Sequence, residues 1–361
     1  VKGIRAKFSS PISFTNVDKQ DLKSKNLGQD LPILLNFLPS VVTTSDAGAG
    51  LGYTGIRIRG VSPQSTNITI NGIPFNDPES MGTFWVNLPD FSSSIESLQV
   101  QRGVGTSTNG SGAFGASINI LTDIASDQPF VELSSSFGSY NSLKNTIKFS
   151  TGKINDYFEL SGRLSKIDSD GYVDRAYSDL KSYFIQGAYT NGSTLIKAIS
   201  FGGHEKTYQA WDGLSMDQVL ENRRQNPLTY ENEIDNNKQD HFQLHWNEKI
   251  NNYWSFNLGL NYTDGRGYFE QFIEEEDINT YDGIVKSDID SNGKETGTTD
   301  LIRRRWLDND FYVLNSSINY IKDKIDLTLS SSYSSYVGDH YGEVIWARSL
   351  SNTGEIRDRY Y

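Results

Sequence analysis

The chain has 361 residues, a formal net charge of −12 at pH 7 and no cysteine. Without cysteine it can form neither a disulfide framework nor a thiolate metal site, and its acidic balance argues against nucleic acid as a partner. A mean hydropathy of −0.51, with no long apolar run, excludes a transmembrane helix, which needs about 20 such residues. The composition is compatible with a transmembrane barrel, because half of each strand then faces a polar lumen.

The first predicted element is a helix over 30–38, with Asp30 at its N-cap and Pro39 beyond its end. A glycine-rich loop follows over 45–55. Four short alternating stretches come next, and each contains or ends in glycine or proline, at 55–60, 68–74, 95–103 and 110–122. They predict a small α+β domain over 1–125 whose backbone turns many times. The glycines at 110, 112 and 115 match a dinucleotide-binding pattern, but a strand follows them, so phosphate has no helix terminus on which to bind.

From residue 129 onward the chain alternates with a period of two, which predicts amphipathic strands. The clearest stretch is 253–263, where one face is apolar and is formed by Trp254, Phe256, Leu258, Leu260 and Tyr262. Aromatic residues stand at both ends of this face, as the interfacial girdles of a membrane barrel require. The stretch 194–201 alternates poorly, because Lys197 is expected on the outer face.

The predicted connections alternate between short and long. Short turns are expected near 153–156, 191–193, 251–252 and 322–324, and long links over 168–180, 204–239 and 267–305. This asymmetry is typical of outer-membrane barrels. About nine strands result, too few to enclose a domain of this size, and an unclosed sheet is prohibitive in lipid. The predicted fold class is therefore all-β dominated, with a small α+β domain before an incomplete antiparallel transmembrane β-barrel over 126–361. We expect the chain to be a fragment.

The four stretches, in this order and at this spacing, resemble the plug domain of TonB-dependent outer-membrane receptors. The strands after 129 resemble the first part of their barrel, about nine of about 22 strands. The amino-acid sequence at 28–32 and 40–48 is similar to that of the plug domains found in Bacteroidetes. Two departures stand out: the energy-coupling TonB box is not recognisable before Arg5, and the later strands are missing.

The resemblance implies no enzyme but active uptake of a scarce nutrient across the outer membrane of a Gram-negative bacterium. Its implied partners are TonB of the TonB–ExbB–ExbD complex, outer-membrane lipid and a small-molecule ligand, with a surface lipoprotein as a further candidate. The preferred cargo is a ferric siderophore or other iron complex, and cobalamin, haem or an oligosaccharide are alternatives. A secretion- or adhesion-type barrel without an import role is an alternative of another class.

A plug that must be released by a modest pull should be held by polar, exchangeable contacts. Charged side chains in the plug stretches are predicted to lock it to barrel-wall residues such as Glu159 or Arg163. The predicted lock residues are Arg57, Arg59, Glu96 and Arg102. The alternative is that these charges lie on a solvated face of the plug sheet.

Ligand is expected to meet the outward loops of the plug and the long external links. The predicted binding residues are Tyr53, Thr54, Asn76, Phe84, Trp85, His204, Tyr208, Trp211 and Arg304. Aromatic rings with guanidinium groups suit an anionic planar ligand such as a ferric chelate, although the same rings also stack on sugars. For Trp85 the alternative is packing in the plug core. The arginine run 303–305 has two further interpretations, lipopolysaccharide phosphates or plain solvation.

No catalytic site and no resident metal are predicted, and iron enters only as part of a transported chelate. The segment 288–293 resembles the opening of a calcium loop with glycine at its sixth position. Its twelfth position is Thr299 and not glutamate, so an ordinary loop turn is the preferred interpretation.

Overall fold

The computed structural model describes residues 5–8, 10–104, 114–281, 283–351, 357 and 359–361. Two features from the sequence lie outside these residues: the glycines at 110 and 112, and the segment before Arg5 in which the coupling box is not recognised. No helix among the described residues is long and apolar enough to span a bilayer.

The N-terminal domain mixes short strands and short helices. Its sheet has the order β1-β6-β7-β4-β5, with β4 parallel to β7, and β2 and β3 form a separate hairpin. The helices are α1 (Lys19–Lys23) and α2 (Leu31–Leu34). The strands are β1 (Ser13–Asp18), β2 (Val41–Ser45), β3 (Thr54–Ile58), β4 (Thr66–Ile70), β5 (Ile73–Pro74), β6 (Ile95–Arg102) and β7 (Ala116–Thr122).

Aliphatic residues of these strands form the core of the domain. Ile58, Ile70 and Leu98 are fully buried, and the core continues into the barrel wall through Phe184 and Phe201. Between β4 and β5 the chain reverses at Asn71 and Gly72, both at positive φ, as a tight hairpin turn requires.

The helix predicted over 30–38 is wrong in its length. It ends at Leu34, and the side chain of Asp30, which precedes it, accepts no capping hydrogen bond from the helix. The Asp30 carboxylate instead accepts a hydrogen bond from Thr54 Oγ1 of the β2–β3 hairpin at 2.9 Å. Asp30 therefore binds the hairpin and not the first turn of the helix. Burial raises the pKa of Asp30 to about 8, only partly opposed by Thr54.

The rest of the chain forms one nine-stranded antiparallel sheet in sequence order, from β8 to β16. The fold class predicted from the sequence is therefore confirmed. A short helix, α3 (Met216–Glu221), lies in the link between β12 and β13. The strands are β8 (Pro129–Phe137), β9 (Leu143–Thr151), β10 (Phe158–Ser169), β11 (Ser178–Thr190), β12 (Thr194–Tyr208), β13 (Ile234–Lys249), β14 (Trp254–Asp277), β15 (Thr298–Lys322) and β16 (Ile325–Ala347).

One face of this sheet turns towards the plug, and the other is apolar and exposed. On β10, Arg163 is buried against the plug while its neighbour Leu164 is 56% exposed. The expectation for Lys197 is wrong: it lies on the plug face of β12 and donates hydrogen bonds to Thr122 Oγ1 and the Asp123 carbonyl. The outer face of β12 carries small residues such as Ala198 and Ser200, which weakened the sequence pattern.

The later strands are longer than the sequence predicts. β14 has 24 residues and β15 has 25, whereas a tilted strand crosses the bilayer with about 9–11. Both ends of each predicted link, 204–239 and 267–305, are therefore strand. This extension decides which way His204 and Arg304 point.

Candidate functional site

Asp90 is the centre of an ionic contact between plug and barrel. It sits in a turn before residues 91–94 with φ of 52°, so its carboxylate points at the barrel wall. Lys144 Nζ lies 2.7 Å from one oxygen and Arg163 Nη1 lies 3.3 Å from the other. The hydroxyls of Thr146 and Ser165 each donate to it at 2.8 Å. The site thus joins one plug carboxylate to two barrel strands, β9 and β10.

This contact is both buried and electrically compensated. Asp90 is 1% exposed. Burial alone would raise the pKa of its carboxyl, but Arg163 and Lys144 outweigh that effect and hold the pKa well below its usual range. Such a charge is stable only while its partners remain, because an unpaired buried ion is strongly unfavourable.

Asp123, just after β7, forms a second ionic contact. It pairs with Lys148 of β9 and with Lys19 of α1, the latter at 2.6 Å. Lys197 Nζ donates to its backbone carbonyl at 2.7 Å. Burial opposes ionisation here as well, yet Lys148 and Lys19 lower the pKa of the Asp123 carboxyl. The plug therefore supplies the acids and the described barrel strands supply most of the bases.

The sequence led us to expect a polar interface between plug and barrel, but the interface also contains apolar contacts. Phe91 packs on Phe201 of β12 with ring centroids 5.1 Å apart. A side chain at Gly203 would collide with the Asn87 carbonyl at 2.5 Å, so glycine permits close approach of the plug there. At the turn between β4 and β5, Asn71 Nδ2 donates to Gln243 Oε1 at 3.2 Å.

The four predicted lock residues form no contact with a barrel strand among the described residues. Arg102 Nε donates to the Pro39 carbonyl and its Nη1 to Thr15 Oγ1, both inside the plug. Glu96 pairs with Lys19, also in the plug. The other two, Arg57 and Arg59, are exposed. Within the described residues these side chains therefore bond inside the plug or lie exposed, and the lock stays a prediction.

At the tip of the plug, Tyr53 meets the barrel and an external link. Its ring packs edge-on against Trp211 at 5.1 Å, and Trp211 packs against Phe269 of β14 at 5.7 Å. The Tyr53 hydroxyl donates a hydrogen bond to Asp235 Oδ2 of β13. Burial, and then the Asp235 and Glu205 carboxylates, raise the pKa of Tyr53 well above its usual value, so it remains a donor. Trp211 is 36% exposed, so it stays a predicted ligand contact.

Three predicted ligand residues of the plug serve its own structure. The Thr54 hydroxyl is engaged by Asp30. The Asn76 amide donates to the carbonyls of Thr66 and Met81, and its oxygen accepts from Ile68 N at 2.6 Å. Trp85 is 4% exposed in the plug core, so the core alternative holds for it.

Three predicted ligand residues of the barrel also point elsewhere. His204 is on the face of β12 away from the plug, with Nε2 at 2.8 Å from Asn236 Oδ1. Tyr208 is buried, and its hydroxyl donates to the carbonyls of Leu228 and Tyr230, which fixes the external link. The reason for both is the strand period, because the even-numbered residues of β12 face outward.

Arg304 likewise lies on the outward face, in β15. It pairs with Glu270 at 2.8 Å and covers the ring of Tyr268 at 4.3 Å. A guanidinium held in this way on the outer surface does not contribute to a ligand site inside the barrel.

Phe84 is 45% exposed and borders a hollow between the plug and β13–β16. Buried His241 also lines this hollow, stacked on Phe201 at 4.6 Å. Glu79 of the same plug loop accepts a hydrogen bond from Tyr336 of β16. Phe84 therefore stays a predicted ligand contact.

Asp288, at the start of the calcium-like segment, is engaged by protein groups. Its oxygens accept from Ser349 Oγ at 2.7 Å and Thr299 Oγ1 at 2.9 Å, and Arg348 lies at 3.3 Å. These contacts tie the long link to β15 and to the segment after β16. No cluster of three or more His, Asp or Glu side chains suited to a metal occurs among the described residues. Calcium in the 288–293 segment stays a sequence prediction.

Comparison with known proteins identifies the N-terminal domain. Residues 6–117 match the family model of the TonB-dependent Receptor Plug Domain. A vitamin B12 transporter of Vibrio vulnificus is 30% identical over 161 residues, which are 44% of this chain and 25% of that protein. A probable TonB-dependent siderophore receptor of Acinetobacter baumannii is 30% identical over 116 residues, 29% of this chain and 15% of that protein.

Solved structures share the fold over almost the whole chain. The ferric-catecholate import receptor of Escherichia coli K12 gives a TM-score of 0.69 at 14% identity, covering 97% of this chain and 54% of that one. A siderophore receptor of Acinetobacter baumannii gives 0.68 at 13% identity, covering 98% of this chain and 50% of that one. This chain thus corresponds to about half the length of those structures.

Proposed function

We propose that this chain, whose residues 6–117 match the plug domain of TonB-dependent receptors, is part of such an outer-membrane receptor and acts in the active uptake of a scarce nutrient. The preferred cargo is a ferric siderophore or another iron complex. The proposed energy source is TonB of the TonB–ExbB–ExbD complex, which would pull on the plug from the periplasmic side.

The observation that carries the proposal is the contact of Tyr53 with Trp211. It joins the tip of the plug to an external link, and Trp211 is exposed enough to receive a flat ligand. A ligand that stacks on Trp211 would compete with Tyr53 for the same ring face or edge, since aromatic pairs depend on geometry. Ligand arrival would thereby reach the plug directly.

The ionic contacts of Asp90 and Asp123 support release of the plug. Each is a set of hydrogen-bonded charges facing a polar barrel wall, and water can replace such contacts once it enters. Apolar contacts between plug and barrel, such as that of Phe91 with Phe201, accompany them. A plug held in this manner is stable at rest and can be displaced by force.

Iron is favoured over other cargoes because several similar proteins are siderophore or ferric enterobactin receptors by name. Cobalamin is the second candidate, favoured by the vitamin B12 transporter among the relatives. A catecholate iron chelate and cobalamin both contain flat conjugated rings that can stack on aromatic side chains.

The test is uptake by cells that express the full-length receptor as their sole route for the cargo. We expect receptor abundance in outer-membrane fractions to rise on iron starvation, and radioactive iron to enter as a chelate only when TonB is present. Trp211→Ala should reduce this uptake, whereas Tyr157→Ala, in a turn at the opposite end of the strands, should not. Unchanged abundance on starvation, with cobalamin transported instead, would move cobalamin to first place. Uptake that persists without TonB contradicts the proposal itself.

A further inference from the structure

Two carboxylates beneath the tip of the plug have no positive partner among the described residues. Glu205 of β12 is completely buried, and Asp235 of β13 is 7% exposed. The partners of Asp235 are the Tyr53 hydroxyl, the Glu205 side chain and the Asn236 backbone amide, none of which is cationic. Neither oxygen of Glu205 has a hydrogen bond of good geometry, although Thr207 and Asp235 are its neighbours.

Neutral oxygen atoms complete the cluster. Glu205 faces Asn237 across the β12–β13 pair, and Thr207 faces Asp235, so the four side chains form a square on the plug face. Four buried oxygen atoms of this square have no hydrogen bond of good geometry: both carboxylate oxygens of Glu205, Thr207 Oγ1 and Asn237 Oδ1. All of them are hard ligands.

The plug covers this cluster closely. A side chain at Gly52 would lie 2.9 Å from Ser178 Oγ and 3.7 Å from Thr207 Cγ2, and Gly52 has φ of 80°. Only glycine allows the loop to approach so near. The next residue, Tyr53, then places its hydroxyl on Asp235.

Two adjacent buried carboxylates repel each other unless something neutralises them. Elsewhere at the plug–barrel interface Lys and Arg do so, as for Asp90 and Asp123. Here the protein supplies only oxygen ligands, a combination that suits calcium, which takes six to eight oxygens in a flexible geometry. Magnesium fits less well because it demands regular octahedral coordination.

We propose that Glu205 and Asp235, with two neutral oxygen ligands beside them, hold a hard divalent cation, calcium by preference, beneath the tip of the plug. The cation neutralises the wall beside Tyr53 and ties β12 and β13 to the plug loop. With only two carboxylates, its affinity should resemble that of extracellular modules, on the order of 10⁻⁴ to 10⁻³ M. Under the proposed function, it would also let an anionic chelate approach this acidic region.

The test uses the full-length receptor, purified in detergent and stripped with a chelator. Terbium is titrated as a calcium analogue while tyrosine and tryptophan are excited, because Tyr53 and Trp211 are close enough to sensitise it. We expect saturable luminescence that calcium displaces. Glu205→Gln and Asp235→Asn should raise the half-saturation concentration at least tenfold. Asp240→Asn, on the same strand but the opposite face, is the matched control and should leave it unchanged.

Melting temperatures distinguish a variant that has lost the cation site from one that is unfolded. In chelator, Glu205→Gln should melt no lower than the wild type, because it removes one of two repelling charges. Calcium should then raise the melting temperature of the wild type and not that of the variant. Absence of sensitised binding in the wild type, or equal binding in Glu205→Gln, overturns the proposal and indicates a proton shared by the two carboxylates. A variant that melts lower in chelator overturns it too. No cargo is used, so failure here leaves the proposed uptake untouched.

Discussion

Two groups of buried carboxylates join the plug to the barrel, and they are neutralised in opposite ways. Asp90 and Asp123 are surrounded by lysine and arginine from β9, β10 and α1. Glu205 and Asp235, near the tip of the plug, meet only each other and neutral groups among the described residues. The first group is complete within the chain. The second group is complete only when a proton or a cation joins it.

The difference separates contacts that hold the plug in place from contacts that depend on the surrounding solution. A contact whose charges are balanced within the protein contributes to docking whatever the surroundings contain. A contact that needs an outside charge depends on the composition of those surroundings. The tip of the plug, where ligand is expected, is where the second kind occurs.

The largest effect is expected at the balanced group. Asp90→Asn leaves Lys144 and Arg163 buried without their carboxylate, which should cost about 3–5 kcal/mol of plug docking. Limited proteolysis of isolated outer membranes should cut the variant plug far faster than the wild type. Asp127→Asn, whose exposed carboxylate pairs with Lys153, serves as the control and should behave as wild type. If Asp90→Asn resists the protease equally, the two groups do not differ as described.

The next effect concerns the base that supports Asp123. Lys197→Met removes the hydrogen bonds to Thr122 Oγ1 and the Asp123 carbonyl, worth about 1.5–3 kcal/mol for a charged donor. The melting temperature in detergent should fall. Lys181→Met, on the outward face of β11, should not change it. An equal fall in both variants would mean that Lys197 acts by general charge and not through its contacts.

A smaller effect is expected at the tip. Trp211→Ala removes the ring against which Tyr53 packs, and such pairs contribute about 0.5–1.5 kcal/mol. A ligand that stacks on this ring should lose a similar amount, so its affinity should fall about twofold to tenfold, and the melting temperature should fall only slightly. Trp246→Ala, outward on β13, controls for the loss of an indole. Affinity that does not change would remove Trp211 from the ligand site.

The smallest effect concerns a buried carboxyl that lacks a basic partner but is not proposed to bind a cation. Among the described residues Asp30 is buried without a basic partner, but its pKa of about 8 lets it exist as the neutral acid. A carboxyl whose pKa is raised in the folded state stabilises it below the unfolded pKa, and this stability is lost as pH rises through about 8. Asp30→Asn should therefore gain about 1 kcal/mol over the wild type between about pH 7 and pH 9. Parallel pH profiles of melting temperature in the two proteins would contradict this.

The alternation of side chains predicted the fold well, because it depends on a period that every strand obeys. It placed Trp254 and Tyr262 on one face and Arg163 on the other. It failed at Lys197, since Ala198 and Ser200 on the lipid side are too small to mark that face. It also failed at the strand ends: β12 and β15 continue beyond the apolar belt, so His204 and Arg304 point outward.

The site was predictable only where a residue's own chemistry marks it. Tyr53 and Trp211 were both named from the sequence, but their contact depends on the path of the link over 209–233. Asp90 was missed, because it stands between Pro89 and Phe91 in no periodic pattern. Its role depends on the position of β9 and β10 against the plug, a tertiary relation that no local motif records. Glu205 was missed for the same reason.

The unequal length of the strands has a consequence for the mouth of the receptor. At about 3.3 Å per residue, the 25 residues of β15 extend about 80 Å along the strand, whereas the nine residues of β8 extend about 30 Å. The wall is therefore tall on one flank and low on the other. A tall flank of paired strands is stiff and cannot fold over its cargo as a lid would. A large molecule that approaches this flank would meet an ordered rim of paired strands and not a flexible loop.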